Sequence, residues 1–138
     1  MYGLVIDGQI KQVTNTLEPL LDSMKKLEWV EIPEYVYPGF AIKDGDFIAP
    51  IDQWHHWNNE NKEWEITEEN NEERIEFYSK EAREKRNDLI KKTDHFLMTD
   101  YKIKEEMLKK VKDYRQALRD VPQQLGFPLE IDWPVLTI

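Results

Sequence analysis

The 138-residue sequence contains no cysteine, and its longest apolar run is far shorter than the roughly 20 residues that a membrane-spanning helix needs. The missing cysteines exclude disulfides, thiolate zinc sites and cysteine nucleophiles, and they suit a protein made in a reducing cytoplasm. The N-terminus also lacks the basic region that is typical of a secretory signal peptide. We therefore expect a soluble protein that has no membrane partner.

Basic residues are scarce relative to acidic ones, and the imbalance is concentrated in the first half. The chain has 19 Lys and Arg against 28 Asp and Glu, a formal charge of −9 that repels nucleic acid phosphates. Residues 1–67 hold 5 basic and 12 acidic side chains, whereas residues 68–138 hold 14 and 16. With a change of hydrophobic periodicity near Thr67, this shift predicts two domains, 1–67 and 68–138, and no nucleic acid partner.

The first domain is expected to be small and β-rich. Asp7-Gly8 and Asp44-Gly45 lie between short β-prone runs, and Asp-Gly favours the type I′ turn of a two-residue hairpin. The first hairpin is predicted over residues 2–13. The other expected elements are short: a helix over residues 19–26, a strand over residues 29–32 and a last strand around Trp64 and Ile66.

The second domain is expected to contain two helices. Asn70 followed by Glu73 resembles a capping box at the start of the first helix. Its apolar face is predicted to comprise Ile75, Tyr78, Ala82, Leu89 and Thr93. The second helix is expected to begin near Thr99 or Asp100, to end at Pro122, and to bury Ile103, Met107, Val111, Tyr114, Leu118 and Val121.

These elements predict the fold class α+β. A small N-terminal antiparallel β domain of hairpins is followed by an antiparallel two-helix hairpin, because the linker of about residues 94–100 is short. An extended C-terminal tail with proline and aromatic residues completes the chain.

Charged side chains at the ends of the two helices allow two interpretations. In the first, arginines form a structural clamp that satisfies the aspartates and free carbonyl groups there, since a helix C-terminus disfavours an anion. The candidate clamp residues are Arg83, Arg86, Asp94, Arg119 and Asp120. In the second, some of the arginines bind an acidic or carbonyl-rich partner, and Arg115 is the candidate for that role.

The tail LGFPLEIDWPVLTI also has two interpretations. Proline keeps such a segment extended and lowers the entropy lost when it docks. Phe127 and Trp133 could fold back over the helices, or they could anchor the tail to a partner. Trp54 and Trp57 of the first domain permit the same pair of interpretations, so all four aromatic residues are partner-binding candidates.

Catalytic and metal-binding patterns are weak. Ser23 and Ser79 lie in expected helices and lack a nucleophile-elbow motif. His55 and His56 lie near Asp52, but adjacent histidines in a strand point to opposite faces. We therefore predict no enzyme activity, no metal and no cofactor.

Two stretches of the sequence carry a family resemblance: REKRNDLIKKTD at residues 83–94 and DYRQALRDVPQQLGFPLEIDWP at residues 113–134. Together they resemble the C-terminal module of phage tail assembly chaperones, which include many tail fibre assembly proteins, over about residues 74–134. The family usually carries Trp where this chain has His95. The hairpins and Trp-containing segment of the first half resemble the small β domain that often precedes the module.

The resemblance implies a phage or prophage protein that binds a tail protein, often the fibre, in the host cytoplasm and promotes its folding or assembly without catalysis. The alternative is a permanent virion component, either a fibre-tip cap or an adaptor, retained in the tail. A further possibility is that Trp54, Trp57 and Trp64 bind host glycans at a fibre tip. The partner protein, the host and the oligomeric state stay open at this point.

Overall fold

A computed structural model describes residues 1–137, and its architecture is α+β, which confirms the expected fold class. The strands are β1 (Tyr2–Ile6), β2 (Gln9–Thr14), β3 (Trp29–Glu31), β4 (Ala41–Lys43), β5 (Asp46–Ile48), β6 (His56–Asn58) and β7 (Glu63–Glu65). The helices are α1 (Asp22–Lys25), α2 (Glu68–Lys91) and α3 (Glu105–Arg119), with 3-10 helices at Asp94–Leu97 and Val121–Gln123. By internal contacts the chain divides into an N-terminal unit, Met1–Asn71, and a C-terminal unit, Glu72–Ile138.

Five strands of the N-terminal unit form an antiparallel sheet in the order β3-β1-β2-β4-β5. Both predicted hairpins are confirmed, because Asp7-Gly8 connects β1 to β2 and Asp44-Gly45 connects β4 to β5. All four turn residues have positive φ, between 50° and 84°, as a type I′ turn requires. Strands β6 and β7 form a separate two-stranded sheet in which Trp57 pairs with Trp64.

The core of the N-terminal unit lies against the centre of the five-stranded sheet. Ile10 of β2 is completely buried and packs with Ile32, Val36 and Phe40. The chain returns to this core between β3 and β4, where the Gly39 N–H donates to the Ile10 carbonyl at 2.8 Å. This backbone hydrogen bond ties the end of the loop to β2.

Gly8 makes a close approach that gives the first testable prediction. A Cβ at this position would lie 2.0 Å from the Oδ1 of Asn59, and φ is +74°. Gly45 has a similar φ of +84°, but a Cβ there would meet nothing within 4 Å. We expect Gly45→Ala to cost about 1–2 kcal/mol from backbone strain alone, and Gly8→Ala to cost about 1 kcal/mol more because the Asn59 side chain must move.

Urea unfolding followed by tryptophan fluorescence measures this difference in the free energy of unfolding. In a background that carries Asn59→Gly, the Asn59 side chain is gone. The loss of unfolding free energy caused by Gly8→Ala in that background should therefore be close to the loss caused by Gly45→Ala in the wild type. Equal costs for Gly8→Ala and Gly45→Ala in the wild-type background would contradict the expected clash.

Helix α2 begins three residues earlier than the sequence pattern suggested for its cap. The Asn70 N–H donates to the Thr67 hydroxyl at 3.1 Å, so Thr67 occupies the N-cap position before Glu68. The predicted cap at Asn70 is therefore wrong. The Asn70 side-chain amide instead donates to the Trp54 carbonyl at 3.2 Å, which holds the first turn of α2 within the N-terminal unit.

The linker between α2 and α3 is longer than predicted. Helix α2 ends at Lys91 and α3 starts at Glu105, so the predicted start near Thr99 or Asp100 is wrong. The 3-10 helix at Asp94–Leu97, a turn over residues 98–101 and three further residues without regular structure make up most of this linker. At its other end, α3 stops at Arg119, and Pro122 lies in the following 3-10 helix, where its ring is tolerated near the start.

Half of the predicted apolar face of the second helix is confirmed as buried. Val111, Leu118 and Val121 are completely buried, whereas Ile103, Met107 and Tyr114 are only half-buried. On α2, Ala82 is buried as predicted, whereas Ile75 is 39% exposed and does not belong to the core. The buried core of the C-terminal unit therefore draws more of its large apolar side chains from α3 and the residues just after it than from α2.

Candidate partner-binding surface

Arg115 is the best-bonded arginine at the end of α2. The helical spacing from Val111 and to Leu118 turns its side chain inward, and the residue is only 9% exposed. Its Nη1 donates to the Ile90 carbonyl at 2.9 Å, the Thr93 hydroxyl at 2.9 Å and the Asp94 Oδ1 at 2.7 Å. One guanidinium of α3 therefore serves the Ile90 carbonyl near the end of α2, the Thr93 hydroxyl and the Asp94 carboxylate.

The bonds to Arg115 fix the turn that follows α2. Thr93 is buried, and its hydroxyl donates to the Ile90 carbonyl at 2.7 Å. Asp94, half of whose side chain is exposed, starts the 3-10 helix and forms the ion pair with Arg115. A buried arginine with a partly solvated carboxylate keeps its Coulomb attraction without fully desolvating the anion. The start of the linker is therefore held both by the end of α2 and by Arg115 of α3.

Three aromatic rings stack immediately after this turn. The ring of His95 lies 4.0 Å from that of Phe96 and 5.3 Å from that of Tyr101, measured between centroids. Phe96 and Tyr101 meet edge to face at 5.4 Å. The imidazole of His95 thus takes part in an aromatic cluster with Phe96 and Tyr101.

Phe127 and Trp133 lie against α2. The guanidinium carbon of Arg83 is 5.5 Å from the Phe127 ring centroid, and the Lys85 ammonium is 4.3 Å from that of Trp133. Both distances fall in the cation–π range. Both aromatic side chains are half-buried. They accordingly contact this chain through one part of the ring and keep another part accessible.

The tail is also closed by its own hydrogen bonds. The Gln124 side chain donates to the Asp132 carbonyl and accepts from the Asp132 N–H, both at 2.8 Å. Within that loop, the Glu130 N–H donates to the Gly126 carbonyl at 2.8 Å. A doubly bonded amide sets the spacing between the two ends of the loop, so Phe127 and Trp133 are presented in a fixed arrangement.

The remaining clamp candidates have local partners. The Arg83 Nε donates to the Ser79 hydroxyl at 3.4 Å, and Arg86 donates twice to the Asn87 side chain, at 3.2 and 3.0 Å. Asp120 is the C-cap of α3 and accepts from the Gln116 amide at 3.1 Å. Arg119 is exposed in the last turn of α3, where a cation is favourable. The structure brings Arg115, rather than these arginines, to Asp94.

Trp54 and Trp57 lie inside the N-terminal unit. Each is 8% exposed, and the Trp57 ring meets Trp64 edge to face at 5.3 Å. The turn before them is set by Asp52, whose Oδ1 accepts from the backbone N–H groups of Trp54 and His55, each at 2.9 Å. Stacking on a sugar needs an exposed ring face. Trp54 and Trp57 expose little of their rings, so they are poorly placed for such stacking.

Asp52 is also the best-supported carboxylate in the N-terminal unit. Burial of Asp52 raises its pKa, but the His55 side chain, whose Nδ1 donates at 2.7 Å, and the two backbone donors outweigh that effect. The net result is a pKa below the ordinary value. This carboxylate therefore stays ionised and acts as a turn-forming acceptor.

Sequence reasoning missed an exposed apolar group in the linker. Leu97, Met98 and Tyr101 are 40%, 60% and 43% exposed. The signal was the run FLM before Thr99, which does not follow the helical period of either helix. Because the second helix was expected to begin at Thr99 or Asp100, these side chains were not recognised as a surface of their own.

Neither a cluster of metal-ligating side chains nor a membrane-spanning helix is present within residues 1–137. Across residues 1–137, no three or more His, Asp or Glu side chains are close enough together to hold a metal ion. No helix in the same range is long and apolar enough to cross a membrane.

The two units differ in formal charge. Met1–Asn71 has 5 basic and 14 acidic residues, whereas Glu72–Ile138 has 14 of each.

Comparison with known proteins gives one match, and it falls on the C-terminal unit. The family described as "Phage tail assembly chaperone protein" matches residues 79–136. No curated protein and no solved structure matches the chain significantly. The matched range contains Arg83, Arg115 and the tail with Phe127 and Trp133. Residues 79–136 therefore match the phage tail assembly chaperone family, which confirms for this part of the chain the resemblance that the sequence carries.

Proposed function

We propose that this protein binds a phage tail protein, in the first place a tail fibre, in the host cytoplasm and promotes its folding or assembly without catalysis. The observation that carries the proposal is the family match over residues 79–136. The C-terminal unit supports it physically, because aromatic side chains at Phe127 and Trp133 are held in place and remain partly accessible. Partly exposed, fixed aromatic residues are typical anchors of protein interfaces.

The finer architecture of the proposed binding module is an antiparallel two-helix hairpin with a returning tail. Two contacts support opposite chain directions: Arg115 bonds to residues 90–94, whereas Phe127, further along the chain, lies at Arg83, further back. We assign residues 68–138 to this module and residues 1–67 to a separate β-rich domain. The partner would then bind mainly to a module with a formal charge of only −2, from 14 basic and 16 acidic residues.

The test of this function is co-expression with a tail fibre protein from the same phage or prophage genome. We expect several-fold more soluble, trimeric fibre when the chaperone is present, and co-purification of the two proteins. The measurement is the amount of SDS-resistant fibre trimer in the soluble fraction. The variant Phe127→Ser/Trp133→Ser tests the two aromatic anchors. It should keep the helical circular dichroism of the wild type and reduce co-purification of the fibre. A fibre that folds equally well alone would contradict the proposal.

Retention in the virion is decided by a separate measurement. Quantitative mass spectrometry of purified virions should find the protein absent, despite strong expression during infection, if it is a transient chaperone. Stoichiometric presence in the tail would instead favour a permanent cap or adaptor.

A further inference from the structure

A groove runs between the linker and α3. Its volume is about 480 Å³, and it is lined by the apolar side chains of Phe96, Leu97, Met98, Tyr101 and Leu108, with Lys112 at its edge. We call it the linker groove. Met98, Tyr101 and Leu97 are between 40% and 60% exposed. Large apolar side chains that are grouped together on a protein surface often mark an interaction site.

The linker groove is held in shape without a partner. Backbone hydrogen bonds from Phe96 to Thr93 (3.2 Å), and from Tyr101 to Met98 (3.1 Å), fix two successive turns of the linker. The Phe96 and Tyr101 rings meet edge to face. At the start of the linker, Arg115 holds Asp94 at 2.7 Å. A preformed groove loses little conformational entropy when it is filled, which favours binding.

The segment that carries the linker groove has a formal charge of opposite sign to that of the whole chain. Residues 92–112 contain six lysines against four acidic residues, a net charge of +2 in a chain of −9. One of the four acidic residues, Asp94, is neutralised by Arg115. Lys112 lines the groove itself. An apolar groove with a basic edge complements an apolar segment that carries acidic residues.

We propose that the linker groove binds an apolar segment with acidic flanks from the tail protein. The inference deepens the proposed function and rests on it for the identity of the partner. Apolar side chains of the segment would enter the groove, and its carboxylates would face Lys112 and neighbouring lysines. Arg115 acts here as a positioning residue, because it is buried and holds the turn from which the groove begins.

The probes are two synthetic 15-residue amphipathic peptides with the same leucine face. One carries glutamate on its polar face, and the other carries lysine at the same positions. Fluorescence anisotropy with the full-length chain should give roughly tenfold tighter binding of the acidic peptide at low salt. Raising the salt concentration should reduce that preference, because exposed charges are screened.

Two groove variants and one control identify the surface. Leu97→Ser/Met98→Ser should weaken binding of the acidic peptide about tenfold or more, since one or two buried apolar contacts are worth that much. Lys112→Gln should reduce the preference for the acidic peptide and leave the apolar part of the affinity. The control, Leu125→Ser, removes a side chain that is fully exposed and outside the groove, and it should bind as the wild type does.

Three results would overturn the inference. They are equal binding of the two peptides, equal weakening by Leu125→Ser and by the groove variant, and a wild-type dimer that the groove variant converts to a monomer. The last result would mean that a second copy covers the groove. The peptide assay contains no tail protein, so it separates the two proposals. Failed co-expression with intact peptide selectivity removes the proposed function, whereas co-purification that survives Leu97→Ser/Met98→Ser removes the groove.

Discussion

Replacing Arg115 with methionine is expected to lower the free energy of unfolding of the C-terminal unit by about 2–4 kcal/mol. The guanidinium donates three hydrogen bonds, to Ile90, Thr93 and Asp94, from a position that is 9% exposed. Methionine keeps a similar length and apolar stem, so the variant tests the bonds rather than the packing. Urea unfolding followed by the helical signal in far-UV circular dichroism gives the measurement.

The partner variant Asp94→Asn should cost much less. The Asp94 side chain is 55% exposed, so water can solvate the carboxylate in place of the ion pair. For such an exposed group we expect a loss of about 1 kcal/mol or less. The asymmetry arises because Arg115 also serves the Ile90 carbonyl and the Thr93 hydroxyl, which the Asp94 change leaves untouched.

A double-mutant cycle with these two variants separates the ion pair from the other bonds. The coupling energy between Arg115 and Asp94 should be smaller than the whole effect of Arg115→Met. Arg115→Lys should recover part of the stability, since an ammonium can reach one acceptor but cannot keep the planar geometry of the guanidinium. A stability loss under 1 kcal/mol for Arg115→Met would show that Arg115 does not hold the end of α2.

Local signals in the sequence predicted the elements whose causes are local. The two Asp-Gly turns require positive φ at both central residues, and that requirement specifies the hairpins at β1–β2 and β4–β5. The periodic face of α3 was also readable, with Val111 and Leu118 at core positions. The sheet order was not, because pairs such as Gly3 with Val30 join residues far apart in the chain and leave no short-range pattern.

The predicted helix starts were wrong where more than one nearby residue could serve as the N-cap. Thr67 and Asn70 are both good N-caps, and the choice depends on the Trp54 carbonyl, which takes the Asn70 amide. The start of α3 was mispredicted for a related reason: Thr99 and Asp100 are good N-caps, but they lie in the turn that the Tyr101 N–H closes by donating to the Met98 carbonyl. Choosing Arg115 over Arg119 as the partner of Asp94 likewise needed tertiary contacts, because both lie on one side of the same helix.

The second large effect is expected from removing one core side chain in each unit. Ile10 and Leu118 are both completely buried, Ile10 in the N-terminal unit and Leu118 in the C-terminal unit. Truncation to alanine should cost about 2–5 kcal/mol in each case, from lost burial and from the cavity that remains. If residues 1–67 and 68–138 fold as separate domains, each variant should destabilise only its own unit.

Two spectroscopic signals distinguish the units. Trp29, Trp54, Trp57 and Trp64 lie in the N-terminal unit and Trp133 in the C-terminal unit, so tryptophan fluorescence reports mainly the former. Most of the helical circular dichroism comes from α2 and α3. Ile10→Ala should therefore shift the fluorescence transition in urea and leave the helical transition nearly in place, and Leu118→Ala should do the reverse.

Exposed apolar residues provide the matched controls for these core variants. Ile51→Ala and Leu125→Ala shorten side chains that are 59% and fully exposed, and each should change the free energy of unfolding by less than about 0.5 kcal/mol. Equal shifts of both transitions by Ile10→Ala, and again by Leu118→Ala, would mean that the chain unfolds as one cooperative unit. In that case the division near Thr67 would be a change of composition along a single domain, and the binding module could not be studied apart from the β-rich half.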